Sequence, residues 1–137
     1  MNFLIDTSVL SQTRKTEPVA EVVRWWQTQS VSSLALSAMS IHEIRQGIEL
    51  VDVGATRKAI EIWLQDFVLR QFAGRILPVD VAVADVSARL VVAAKKEGHT
   101  AELADALIAA TAKVHGLRIA TLNSKHFEWL DVELVKF

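Results

Sequence analysis

Asp6, Glu43 and Asp105 each stand beside an apolar strand or helix face with no obvious basic partner. Carboxylates drawn from distant parts of a chain characteristically hold a hard cation through oxygen, and such a cation characteristically acts on phosphates. Each also has a plainer reading. Asp6, in Asp6-Thr7-Ser8, serves equally well as a helix N-cap. Glu43 reads as an ordinary helix-surface glutamate, except that Gly47 at i+4 leaves room over its carboxylate, at roughly 1 kcal/mol relative to Ala. Asp105 is the most telling. Its expected helical neighbours Ala101, Ile108, Ala109 and Ala112 place it on or beside an apolar face, and Glu102 adds a like charge at i−3. A divalent cation relieves both the burial and the repulsion.

Other polar residues are candidates for supporting roles. The hydroxyls of Ser8 and Thr121 can orient the carboxylates, and Asn123 offers a neutral oxygen at the fourth corner or, equally, a turn residue. Ser8 has no nearby histidine and no oxyanion motif, which argues against a nucleophile. The four histidines show no H-x-x-x-H spacing, so zinc is disfavoured. Glycine-rich phosphate loops are absent.

These residues need a scaffold that brings them to one place. Phe3-Leu4-Ile5, Leu34-Ala35-Leu36, Arg75-Ile76-Leu77, Arg118–Thr121 and Val132–Val135 read as short buried strands. Between them, helices are expected over about 18–29, 38–51, 55–72, 80–97 and 100–116. Asp80 and Thr100 are the expected caps, with Gly74, Gly98 and Gly116 at the C-terminal ends. Short apolar strands alternating with helices give a mostly parallel sheet of about five strands covered on both faces, a three-layer α/β/α fold. On such a sheet the carboxyl ends of the strands form the ligand rim, where Asp6, Thr121 and the starts of the Glu43 and Asp105 helices all lie. Trp25 and Trp26, being adjacent, are not expected to face inward together, which leaves one for an interface.

Composition narrows the class further. With 137 residues the expectation is a single domain over 1–137, burying roughly two-thirds of its unfolded surface. No cysteine is present, which removes disulfides and thiolate chemistry and fits a reducing, cytoplasmic setting. The chain opens as a strand rather than a signal peptide, and no apolar stretch reaches membrane-spanning length. A net charge of −1 argues against passive nucleic-acid binding, yet leaves room for an acidic site rimmed by bases such as Arg14, Lys15, Arg45 and Lys125.

Five segments together resemble one family. Asn2–Leu10, Leu36–Gly47, Phe72–Pro78, Ala104–Ala112 and Ile119–Asn123 are similar, in order and spacing, to PIN-domain proteins, and most of all to VapC toxins of the FitB-like branch. The resemblance implies that Asp6, Glu43 and Asp105 are the catalytic, metal-binding acids. Asn123 falls at a fourth position often occupied by Asp, and His126 stands where many relatives carry another Asp. One firmly held metal is therefore expected rather than two, with Glu102 as a partial substitute. It also implies Mg²⁺- or Mn²⁺-dependent ribonuclease activity, a small DNA-binding antitoxin of the VapB or FitA kind, homodimers, and toxin–antitoxin hetero-oligomers. A second class of function stays open: a catalytically weak PIN protein acting mainly as the antitoxin's partner on operator DNA. A phosphoreceiver is disfavoured, because receivers carry an acidic pair directly after strand one.

Overall fold

A computed structural model describes all 137 residues. The sheet consists of β1 (Phe3–Ile5), β2 (Leu34–Ser37), β3 (Ile76–Leu77), β4 (Arg118–Thr121) and β5 (Leu134–Lys136). Their order is β3-β2-β1-β4-β5, and every neighbouring pair is parallel. The last strand starts later than the expected Val132. Asp131 adopts a left-handed backbone (φ 36°), and the turn it makes delays regular pairing, although the Glu133 carbonyl already accepts from the Ile119 N–H at 2.9 Å.

Side chains alternate across the strands and so build two cores. Leu4, Ala35 and Ile119 face a layer containing Val83, Leu90, Ile108 and Phe127. Ile5, Leu34, Leu36 and Ala120 face the opposite layer, with Ile44, Ile48, Leu64, Val68 and Phe72. A strand buried on both sides is apolar at every position, which is why β1 and β2 read as continuous runs. The first layer is carried by α6 (Val81–Lys96) and α7 (Leu103–His115). The second is carried by α1 (Thr7–Leu10), α2 (Ala20–Gln27), α3 (Ala38–Leu50), α4 (Ala55–Ile62) and α5 (Leu69–Gln71). No helix is long and apolar enough to cross a membrane.

The structure departs from expectation at three helices. The long helix near 55–72 is interrupted by a π-helical stretch, Trp63–Val68, where the wider turn places Leu64 and Val68 in the core while the Trp63 indole N–H donates to Thr13 Oγ1 at 2.9 Å. Trp25 and Trp26 are both half-buried. Trp25 meets Phe3 and Phe137 edge-on at 5.1 and 5.6 Å, and Trp26 meets Phe72 at 6.4 Å, so both find aromatic neighbours within the chain.

Helix α7 begins at Leu103, not after a Thr100 cap. The intervening residues form the corner with α6, where Gly98 (φ 84°) reverses the chain and the His99 N–H returns to the Ala94 carbonyl at 3.0 Å. That shift matters for the site. Asp105 sits in the first turn of α7, where the helix dipole favours a negative charge, instead of beyond the first turn of a helix starting near 100.

Candidate active site

Asp6 leaves β1 directly onto the carboxyl rim, at the place where the chain order in the sheet changes direction between β1 and β4. Its backbone N–H donates to the Ala120 carbonyl at 3.0 Å, and its residue is only 6 % exposed. The position is that of an N-cap for α1, but the side chain makes no capping bond. Instead Oδ2 accepts from the Ser8 hydroxyl at 2.6 Å and the Thr121 hydroxyl at 2.8 Å. Those two hydroxyls are in turn braced by backbone: Leu122 N–H donates to Ser8 Oγ at 3.0 Å, and Asn123 N–H to Thr121 Oγ1 at 2.9 Å. One carboxylate oxygen, Oδ2, is thus held by two hydroxyls of the protein.

Glu43 enters from the second turn of α3, a helix whose N-cap Ser37 accepts from the Met39 N–H at 3.0 Å. The Thr7 hydroxyl donates to Glu43 Oε1 at 3.0 Å, so consecutive residues of α1 steady two different acids. Gly47 lies exposed one turn along, and a methyl group there would meet nothing within 4 Å. Asp105, with its side chain 15 % exposed, has His126 Nδ1 at 3.8 Å from Oδ2.

The three acids feel one another. Burial raises the Glu43 carboxyl above its ordinary range; the Thr7 bond pulls it down, the charges of Asp6 and Asp105 push it up, and His42 lowers it. Burial likewise raises Asp105, against the lowering influence of His126 and with added push from Asp6 and Glu102. As the side chains stand, no group of three or more His, Asp and Glu is arranged to hold a metal ion. The acids are thus near enough to feel one another's charge, without forming a closed cage of donors. The donor set nonetheless fits a hard cation: all oxygen, strained by mutual repulsion, and without a lysine or arginine paired to it.

Two outcomes follow from this geometry. Ser8→Ala and Thr121→Val are each expected to lower the activity supported by Asp6 by about 10- to 100-fold while circular dichroism stays native, since each removes a donor that orients the carboxylate. The second concerns pH. Raised carboxyls bind more protons in the folded state than in the unfolded one, over an interval starting at the ordinary values of 3.8 for Asp105 and 4.5 for Glu43. Stability of the metal-free protein therefore falls as pH rises through that interval and stays lower above it. Asp105→Asn, uncharged throughout, is expected to raise the metal-free unfolding temperature at neutral pH and to leave it unchanged below the interval. A variant less stable than the parent at neutral pH would contradict the repulsion described.

The remaining candidates separate. Glu102 and Lys125 line the same cavity, about 600 Å³, as Glu43, Asp105 and His126. Arg14 lies over the Trp63 ring, 5.8 Å from its centroid, in a smaller groove of about 250 Å³ that also meets Thr7, Glu43 and Gly47. Lys15 borders a different hollow, beside Pro18, Val22 and Trp26. Arg45 pairs with Glu61 at 2.8 Å and Glu49 at 3.6 Å, and its side chain stays partly exposed. Asn123 is exposed and acts through its backbone: besides bracing Thr121, its carbonyl accepts from the His126 N–H at 3.0 Å. That turn delivers His126 to Asp105. Sequence reasoning registered His126 only as a departure at the third residue past Asn123, and it overlooked Thr7.

Residues 3–131 match the PIN domain, and the chain belongs to the PIN-domain family. Within it the chain is similar to toxins. It is 35 % identical to the VapC ribonuclease Y4jK of Sinorhizobium fredii, across 96 % of this chain and 94 % of that one. It is 37 % identical to Toxin FitB of Neisseria gonorrhoeae, across 94 % and 93 %. Among solved structures, FitAB bound to a DNA fragment aligns with a TM-score of 0.90 at 34 % identity, covering 98 % of this chain and 94 % of that one. DNA-bound VapBC2 of Rickettsia felis, at 16 % identity over 100 % and 99 % of the two chains, shares the fold with a TM-score of 0.80.

Proposed function

We propose that residues 1–137 form one PIN unit that acts as the toxin of a toxin–antitoxin module: a Mg²⁺- or Mn²⁺-dependent endoribonuclease kept silent by a cognate antitoxin. The observation that carries the reading is the set of Asp6, Glu43 and Asp105 on one rim, two of them steadied by hydroxyls and all without a fixed positive partner from Lys or Arg. These three would hold the metal, with Glu102 nearby; the exposed Asn123 side chain favours one site over two. When bound, the ion would supply charge stabilisation and an activated water for cleavage of an RNA phosphodiester.

The chain's own residues do the rest. Ser8 and Thr121 fix Asp6 Oδ2, and Thr7 fixes Glu43 Oε1. Lys125 at the cavity wall attracts a phosphate without reading sequence. The names Toxin FitB and FitAB bound to DNA support a DNA-binding antitoxin as partner; the same reading carries a hetero-oligomeric complex built on paired toxins in the cytoplasm. Purified chain freed of antitoxin should cleave RNA in Mg²⁺ and stop in EDTA. Cleavage undiminished by EDTA would overturn the metal mechanism. A second reading, a weak nuclease serving mainly as the antitoxin's partner on operator DNA, is favoured by Asn123 and His126, which stand where the family resemblance implies acids. It would be supported if Mg²⁺ restores no cleavage at all.

A further inference from the structure

The cavity beside Asp105 has an aromatic wall that the reading above leaves unused. Trp129 is 50 % exposed, and its indole stacks on the His99 ring with centroids 3.6 Å apart and planes 10° apart. Both rings line the cavity together with Lys125, His126, Glu43 and Asp105. The platform is firmly mounted. Trp129 lies between Phe127 and Leu130, each 1 % exposed and packed in the core, and the Leu130 N–H closes the turn onto the Phe127 carbonyl at 3.1 Å. His99 is held from the other side by its N–H bond to Ala94. A large aromatic fixed this way and still half in water presents a rigid apolar face to the cavity.

Its neighbours say which ligand. A cation, Lys125, lies on the 3-10 turn just before Trp129, and two of the proposed hydrolytic acids, Glu43 and Asp105, line the same cavity. A flat apolar group joined to an anion, reaching from platform to acids, is a nucleotide. Bases of single-stranded RNA, unlike those of a duplex, are free to leave their own stack and lie on an aromatic side chain. We propose that the His99–Trp129 stack is a nucleobase subsite, which seats the base next to the scissile phosphate of single-stranded RNA while Lys125 meets the backbone. The proposal rests on the ribonuclease reading and adds to it a single-strand preference. Because every base has a stacking face, the subsite is sequence-tolerant and favours the larger purines.

The test is binding of a short single-stranded RNA to the Asp6→Asn protein in Mg²⁺, followed by anisotropy, with each nucleotide made abasic in turn. Trp129→Ala, on that background, should weaken binding about tenfold to a hundredfold, and Trp129→Phe much less. One abasic position should weaken the parent by a similar factor and leave Trp129→Ala unaffected, a non-additivity that a merely structural stack would not produce. Equal binding by Trp129→Ala, or losses that simply add at every position, would overturn the subsite. So would an RNA that the protein does not bind. RNA cleavage by the wild-type chain is read separately. Cleavage retained in full by Trp129→Ala removes the subsite and spares the nuclease, whereas base-dependent binding without cleavage does the reverse.

Discussion

Asp6→Asn is expected to lower metal-dependent RNA cleavage about a thousandfold or more, with the fold intact. The substitution keeps the side-chain shape, and the Ser8 and Thr121 hydroxyls can still pair with an amide. What it removes is the negative charge at the point where the sheet reverses order. Loss of that charge forfeits several kcal/mol of stabilisation in a metal-assisted hydrolysis, at about 1.4 kcal/mol per tenfold in rate. The fold should tolerate the change because a mostly buried charge next to two other acids is relieved, not exposed. Initial rates on single-stranded RNA at saturating Mg²⁺, with circular dichroism as control, read this directly. A variant within tenfold of the parent would remove Asp6 from the chemistry.

Phe127→Ala is expected to destabilise the protein by about 3–5 kcal/mol, a large share of the roughly 5–15 kcal/mol that holds a typical domain. Phe127 is 1 % exposed in the layer that contains Ile108, Ile119 and Leu130. It also follows the short 3-10 turn Ser124–His126, whose Ser124 carbonyl accepts its N–H at 3.0 Å. Truncation opens a cavity beneath the residues that carry Lys125, His126 and Trp129, so cleavage should decline along with stability. Phe127→Leu, which keeps most of the volume, should lose much less. Urea unfolding measures the difference, and a loss under about 1 kcal/mol would show that this ring does not anchor the turn.

Much of this architecture was legible before any coordinates. The strands announce themselves as short apolar runs because each side chain in β1 and β2 enters one core or the other. The parallel order follows from their alternation with helices, and the rim follows from the order. That is how Asp6, Glu43 and Asp105 could be placed on one rim, although Asp105 was located imprecisely within its helix. A helix expected from about 100 places it beyond the first turn, and it sits in the first turn, where aspartate is favoured.

What was not legible depends on packing between distant residues. Thr7 reaching Glu43 spans 36 positions, and no local pattern encodes it. His126 meets Asp105 only because a turn at Asn123 swings it back. The pairing of Arg45 with Glu61 was hidden because Glu61 arrives from the next helix. The adjacent tryptophans were read on helix periodicity alone, which misses the half-buried margin where both find aromatic neighbours. The π-helical stretch carries no Pro or Gly to mark it, and its six residues, Trp63–Val68, are ordinary helix-compatible types.

The most direct test is a calorimetric titration of the antitoxin-free chain with Mn²⁺ at neutral pH, repeated with Asp6→Asn and Asp105→Asn. The expected result is one saturable binding event in the parent, abolished or weakened by orders of magnitude in both variants. Undiminished binding in the variants, or none in the parent, would contradict a cation centre built from these carboxylates.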